Sequence, residues 1–587
     1  MKKTILILIL VFIFLRVLNL DRDLPNYDLT QLGSKDEQAY NFTALNLYHF
    51  GAMNKVVADG FTIKGSITSI LNNSVTYLTL TLFGNNYYGL RAGAVLASLV
   101  ILLILLYLSG LMFNSGSNNL QRYMLLFIGL YALFDFGFLI AGRNASPVIF
   151  RSMYLMLIML FMNFIAGKSE KEQKWYYLLC GLFSALLIFF SYLTNTFIAL
   201  GIVLFIAFRG IHDRDFNSAI KLILLYIFGF IIGFLISNQI YIIFKGSGVL
   251  SSLFSTVDVY GNRLAAPVST AQQVAFISLI KRVVTNLLFM VHSNIFTLNY
   301  TLLFLLITSF FIAFIQFVKR IKLSNVRLIT LSMIIAYLVQ AVIYNPNSTK
   351  WIVMIFPVII VFVVSTISNV FQSAEIKEYL SNKKRFLRFF LVLNFLFITA
   401  VFVLLLKFGV SSSLRPLAYL SVITMFSLVV VLSFDIVHFS GAKKVVIAVL
   451  LMLSMLPNLY LSFINCAIKP DYHYRNALMT VNSIVKDDVV AGSWSDGFRL
   501  YTSGNTLFTW YQNQRNRDLY KTKLTEIFDK GIAKYTLDFS KRSSLDVFKD
   551  IDTKGKKYRL EIDTTLYLGY KSTADSLIVV KRIAIND

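Results

Sequence analysis

Two adjacent carboxylates, Asp36 and Glu37, follow shortly after the first apolar run of the chain. Read blandly, acids at the head of a helix lying on a membrane stabilise its N-terminus through the helix dipole. Read chemically, a carboxylate beside low-dielectric lipid has its pKa raised toward the range of a general base. Cations are the natural complement. Lys350-Trp351 opens an apolar run just after Tyr344-Asn345-Pro346-Asn347-Ser348-Thr349. Such a pair anchors a helix end at the interface, or the lysine binds the phosphate of a lipid carrier. Arg143 sits in the short loop Gly142-Arg143-Asn144-Ala145-Ser146-Pro147. That loop is either a plain turn whose proline starts the next helix or a second place to meet a phosphate. Arg91, at the start of the second apolar run, and Arg263, in a long loop, are similar candidates.

Other chemistries find little support. The five histidines are scattered, and neither His49 nor His292 has a partner at ligand spacing. The two cysteines, Cys180 and Cys466, read as small hydrophobes with no metal-ligand spacing. No metal site and no required cofactor is expected, and a divalent metal has no support in the sequence. A Walker loop, a Rossmann glycine pattern after a strand, GxSxG and HExxH are all missing. This argues against an ATP-driven pump or a membrane protease with a familiar motif.

The elements that must position these residues are membrane helices. Of 587 residues, 57% are hydrophobic and only 14% charged, with the charges clustered between long apolar runs. A bilayer crossing needs about 20 apolar residues. Runs of spanning length fall near 4–20, 88–113, 121–141, 147–167, 175–194, 196–210, 218–243, 300–318, 328–344, 351–371, 389–406, 417–438 and 444–466. The 196–210 run is short and could merge with its neighbour. This predicts a polytopic α-helical membrane protein of about 13 transmembrane helices over residues 1–467. No small-x-small cleavage site follows the first run, so it reads as an uncleaved helix.

The net charge of +25 would suit nucleic acid, but its distribution points to lipid. Lys and Arg concentrate at 168–174, 209–221, 319–327, 377–388 and 443–444. With the N-terminus cytoplasmic, thirteen crossings put every one of these segments on the cytoplasmic side, where basic loops belong. Membrane lipids and a lipid phosphate are the expected partners, and nucleic acid is not. Two outer loops are long, 21–87 and 244–299. The first carries a helical pattern over 36–50 and an apolar stretch rich in Thr, Ser and Asn over 66–83, both placed at the membrane surface. The second carries an amphipathic pattern over 271–291. Beyond Pro470 charges become frequent and mixed. Strand-like runs at 489–491 and 576–580 and turn signals at 503–505 and 553–555 predict a small α/β or α+β soluble domain over 468–587. With an odd number of crossings it is extracytoplasmic.

Taken together, these pieces resemble the GT-C superfamily of membrane glycosyltransferases. Within it they are most similar to glycosyltransferase family 39, the protein mannosyltransferase and aminoarabinose transferase group. Asp36-Glu37-Gln38-Ala39-Tyr40 resembles that family's acidic "DE" motif. Leu82-Phe83-Gly84 with Arg91 resembles its "LFG…R" stretch, Ala141-Gly142-Arg143 through Pro147 its "R…PD" loop, and Lys350-Trp351 with Pro357 its "RY…P" segment. The likeness covers roughly residues 1–370. Val148 replaces the acid of "PD", Lys350 stands where Arg is usual, and Lys64-Gly65-Ser66 replaces a proline-rich stretch.

The resemblance implies a polyprenyl-phosphate-dependent, inverting glycosyltransferase of the bacterial cytoplasmic (inner) membrane. A sugar would pass from the carrier to a lipid, glycan or protein acceptor at the outer face. It implies Asp36 as general base, Glu37 as its support, and Lys350, Arg91 and Arg143 as ligands of the departing lipid phosphate. The alternative is a non-catalytic protein of the same fold, or a lipid or glycan transporter. Transport would need charge within the crossings, where Asp135 and Asp435 are the residues to examine.

Overall fold

A computed structural model of the chain describes residues 2–22, 41–58, 61–63, 69–111, 127–191, 195–245, 248–249, 299–321, 323–344, 350–408, 415–434, 441–464, 472–492, 500, 506–508, 517–539, 558–567 and 576–584. The chain divides into two compact units. One comprises Met1–Arg16, Ala97–Gly142 and Val148–Ile464, and the other Val17–Leu96, Arg143–Pro147 and Asn465–Asp587.

The first unit is a helical bundle. In lipid no water is present to satisfy backbone N–H and C=O groups, so long apolar runs close their hydrogen bonds internally as helices. Among the described residues, nine helices are long and apolar enough to cross a membrane. They include the short 196–210 run, which forms a complete helix, Thr196–Asp213. The runs at 4–20, 328–344 and 444–466 contain shorter apolar helices, Lys2–Val17, Asn325–Gln340 and Val449–Phe463. In the 121–141 run the helix breaks at Asp135, whose carboxylate accepts the backbone N–H of Phe138 at 2.8 Å and starts Phe136–Ala141. Asp435 lies outside the described residues.

Lys350–Gln372 is the most enclosed of these helices, with Val353 to Val364 buried throughout. Phe216–Lys245 is the opposite case and exposes Leu224, Phe228, Ile231 and Leu235, as lipid solvation allows. Its other face lies backbone to backbone against Glu170–Ser191. A Cβ on Gly181 would come within 2.0 Å of the Tyr226 carbonyl oxygen, and one on Gly229 within 2.0 Å of that of Leu178. Small residues permit this approach, because helix association in lipid depends on close packing rather than on expelling water. Polar ties complete the bundle. The Tyr131 hydroxyl lies 3.2 Å from Asn299 Oδ1 and 3.0 Å from Ser454 Oγ.

The second unit carries a five-stranded mixed sheet. Its strands are β3 (Val490–Gly492), β4 (Thr506–Phe508), β5 (Tyr535–Phe539), β6 (Tyr558–Tyr567) and β7 (Ser576–Ala584), after a separate hairpin of β1 (Lys55–Ala58) and β2 (Phe61–Ile63). The order is β4-β3-β5-β7-β6. β3 runs parallel to β4 and β5, and β7 antiparallel to β5 and β6. Helix His473–Val485 packs Leu478, Val481 and Val485 into one core with Val490, Leu537 and Val579 of the sheet. Leu45, Leu80, Tyr87 and Leu90, from the N-terminal part of the chain, enter the same core.

The two stretches expected at the membrane surface form Phe42–Phe50 and Ile70–Phe83. The second is polar inward. Asn72, Asn73, Thr76 and Thr79 are buried, while Leu71, Leu78, Leu82 and Phe83 are exposed. The 271–291 pattern and the turn signals at 503–505 and 553–555 lie outside the described residues.

Replacing Gly229 by Val inserts a branched side chain where a backbone oxygen already stands. Overpacking of this kind costs about 1–3 kcal/mol or more. The detergent-solubilised variant is expected to melt below the wild type, as read by tryptophan fluorescence, whereas Gly110→Val, where a Cβ meets nothing within 4 Å, is expected to change little.

Candidate functional site

After helix Lys2–Val17 the chain reverses through a tight turn. Asn19 takes a left-handed conformation with φ 51°, which asparagine tolerates better than most residues. The Leu20 N–H then reaches the Val17 carbonyl at 3.1 Å, and the Arg22 N–H the Asn19 carbonyl at 3.3 Å. Three arginines hold this turn. Arg143 Nη2 donates to the Asn19 carbonyl at 2.6 Å. Arg91 Nη1 donates to the carbonyls of Leu20 at 2.6 Å and Arg22 at 2.5 Å. Arg475 forms an ion pair with Asp21 at 2.5 Å.

Arg91 is fully buried and its guanidinium lies 4.2 Å from the centre of the Tyr87 ring. It projects from the first turn of Tyr87–Leu111, which Asn86 starts by accepting the Gly89 N–H at 2.9 Å. Arg143 is equally buried and sits in a loop tied down on its other side. Asn41 donates from Nδ2 to the Ala145 carbonyl, and its Oδ1 accepts the Thr76 hydroxyl at 2.9 Å. Asn73 in turn accepts the Ala44 N–H at 2.8 Å and donates to Ser69. The short 143–147 loop, the 19–22 turn and helix Ile70–Phe83 are thereby fixed to one another.

Of the residues singled out from the sequence, the structure brings Arg91 and Arg143 to the same four-residue turn. Lys350 is the first residue of Lys350–Gln372. Asp36, Glu37 and Arg263 lie outside the described residues. Sequence reasoning overlooked Arg22 and Arg151, both buried, and the Asp21–Arg475 pair. Buried arginines in so apolar a chain were the available signal for the first two. The pair joins residues 454 positions apart and had no local signal.

No protein-family model matches the chain, and no curated protein matches it. Solved structures do. ArnT from Cupriavidus metallidurans bound to undecaprenyl phosphate aligns over 98% of this chain and 97% of its own, with TM-score 0.51 and 11% sequence identity. The chain shares the fold of that structure. The apo Archaeoglobus fulgidus oligosaccharyltransferase aligns over 95% of this chain and 72% of its own, with TM-score 0.49 and 13% identity.

The Asp21–Arg475 pair is partly exposed, with side chains 21% and 31% accessible, so solvent screening limits its contribution to about 1 kcal/mol. Asp21→Asn and Arg475→Gln are each expected to lower the melting temperature slightly. A double-mutant cycle on the purified protein is expected to return a coupling of that size, and additive effects would show that the two side chains do not act together.

Proposed function

We propose that this protein is an inverting glycosyltransferase that moves a sugar from a polyprenyl-phosphate donor to a lipid, glycan or protein acceptor. The reaction takes place at the outer face of a bacterial cytoplasmic membrane. The observation that carries this reading is the convergence of Arg91 and Arg143, both fully buried, on the turn that leads into the segment bearing Asp36 and Glu37. The GT-C fold, matched in a structure holding undecaprenyl phosphate, supports the same class of donor.

In this mechanism Asp36 acts as general base. It takes the proton of the acceptor nucleophile as that atom attacks the anomeric carbon of the sugar. The bond from that carbon to the phosphate oxygen breaks, and the carrier phosphate leaves with the electron pair. Glu37 supports Asp36. Arg91, Arg143, Lys350 and Arg263 are the proposed ligands of the phosphate on the strength of the family resemblance, since fixed cations stabilise the charge that develops as it departs. A donor that brings its own leaving group needs no nucleotide and no cofactor.

A deletion strain is expected to lack one glycosylated envelope component, detected by mass spectrometry of lipids and glycans. Wild-type protein should restore it. Asp36→Asn, expressed at the same level, should not, since loss of a general base costs about 10²–10⁴ in rate. Restoration by the Asn variant would remove Asp36 from this role.

Thirteen crossings place the N-terminus and Lys171 in the cytoplasm and the C-terminal domain outside. In a C180S/C466S background, a membrane-impermeant maleimide applied to spheroplasts is expected to label T480C but not K171C. Both positions are exposed. The reverse pattern would invert the topology and put the site on the cytoplasmic face.

A further inference from the structure

Three buried polar side chains beside the Asn41 bridge have no hydrogen-bond partner for any of their polar atoms. Asn72 on helix Ile70–Phe83 and Asn144 and Ser146 on the 143–147 loop are 3%, 0% and 0% exposed. Both amide atoms of Asn72, both of Asn144 and the Ser146 hydroxyl have no hydrogen-bond partner. Ala145, which Asn41 binds through its carbonyl, lies between Asn144 and Ser146. Thr76, which donates to Asn41, is one turn along from Asn72, and its hydroxyl also lies 3.3 Å from the Asn72 carbonyl. The three residues therefore neighbour, along the chain or by one helical turn, the two groups that Asn41 ties together.

Each buried amide or hydroxyl without a partner costs about 1–3 kcal/mol, and native proteins rarely tolerate several together without a use for them. Ile70–Phe83 turns this polar face inward while exposing its leucines, so the arrangement belongs to the fold of the helix and is not a stray rotamer.

We infer that Asn72, Asn144 and Ser146 form a subsite that recognises the hydroxyl groups of the sugar carried on the lipid. This rests on the proposed function. Two amides and a hydroxyl offer mixed donors and acceptors, the complement of a ring whose hydroxyls both donate and accept. A carboxylate or phosphate, which only accepts, would leave the amide oxygens unsatisfied. The carrier-borne sugar is favoured over an acceptor glycan because Asn144 directly follows Arg143, the proposed phosphate ligand, and the sugar is bonded to that phosphate.

The test uses the full-length protein in lipid nanodiscs. The probes are undecaprenyl phosphate and its glucosyl, mannosyl and 4-amino-4-deoxyarabinosyl forms. Wild type is expected to bind at least one sugar-bearing lipid about 10-fold or more tightly than the bare carrier, the effect of one or two net hydrogen bonds. Asn72→Leu and Asn144→Leu should each remove that preference while leaving affinity for the bare carrier within about twofold. Their melting temperatures should equal or exceed the wild type's, because an apolar group of similar shape removes an unsatisfied one. Variants that keep the preference overturn the inference, as do variants that melt lower and lose both ligands. The same holds if transfer is lost while the donor preference stays intact, which would move the cluster to the acceptor. A wild type that binds all four lipids equally overturns the subsite and leaves the carrier reading standing. A wild type that binds none overturns both.

Discussion

The second unit depends on a four-residue turn held by charge. Asn19 to Arg22 exposes backbone carbonyls toward a buried region where water cannot serve them. The chain answers with guanidinium groups from two distant places, Arg91 and Arg143, while Arg475 pairs with the Asp21 carboxylate of the same turn. A hydrogen bond from a charged donor is worth about 1.5–3 kcal/mol net, against about 1 kcal/mol for a neutral one, so two or three of them fix a turn that contains a left-handed asparagine. Arg91 meets two of the carbonyls through a single nitrogen, Nη1, whose two N–H groups reach Leu20 and Arg22.

The same economy of polar groups explains helix Ile70–Phe83. A helix that keeps Asn and Thr inside and Leu and Phe outside would be inverted in water. At a membrane it is the expected arrangement. Its apolar side is exposed, where lipid could solvate it, and its polar side serves the bridge from Asn73 to Ala44 and from Thr76 through Asn41 to Ala145. Composition hinted at this, since the stretch was apolar yet rich in Ser, Thr and Asn. Which face each type occupied had to come from packing.

Much of the bundle was legible because bilayer thickness writes itself into sequence as apolar runs of a set length, and among the described residues nine of those runs are helices long enough to span. Where a run is interrupted, as at Asp135, local chemistry decides, and the carboxylate is visible in advance only as an oddity. The soluble sheet was legible in part. The 489–491 and 576–580 runs became β3 and β7, while β5 and β6, whose Tyr535 to Phe539 and Tyr558 to Asp563 alternate apolar and polar residues, carried a period-two signal that sequence reasoning overlooked. The site was legible as residue types without partners. Arg91 and Arg143 were recognisable as cations at a helix start and in a short outer loop, but their burial and their meeting at Asn19–Arg22 are long-range events that leave no periodicity. Asn72, Asn144 and Ser146 were invisible for the same reason, since an asparagine in a loop normally signals a turn and nothing more.

The shared core also fixes the status of the C-terminal domain. Its helix His473–Val485 covers Leu45, Leu80 and Leu90, and the Asn85 side chain donates to the Leu500 carbonyl at 2.6 Å. These residues come from the segments that carry Arg91 and abut the pinned turn. Asp21, inside that turn, takes its counter-ion from the same domain. A sheet domain that merely capped the membrane helices would contact them through an interface of mixed polarity. Here fully buried aliphatic side chains from both ends of the chain pack as one interior. Small domains gain stability mainly by such burial, at roughly 25 cal/mol per Å² of apolar surface. Removing the sheet would therefore expose the core on which the turn, Arg91 and Asn41 are mounted.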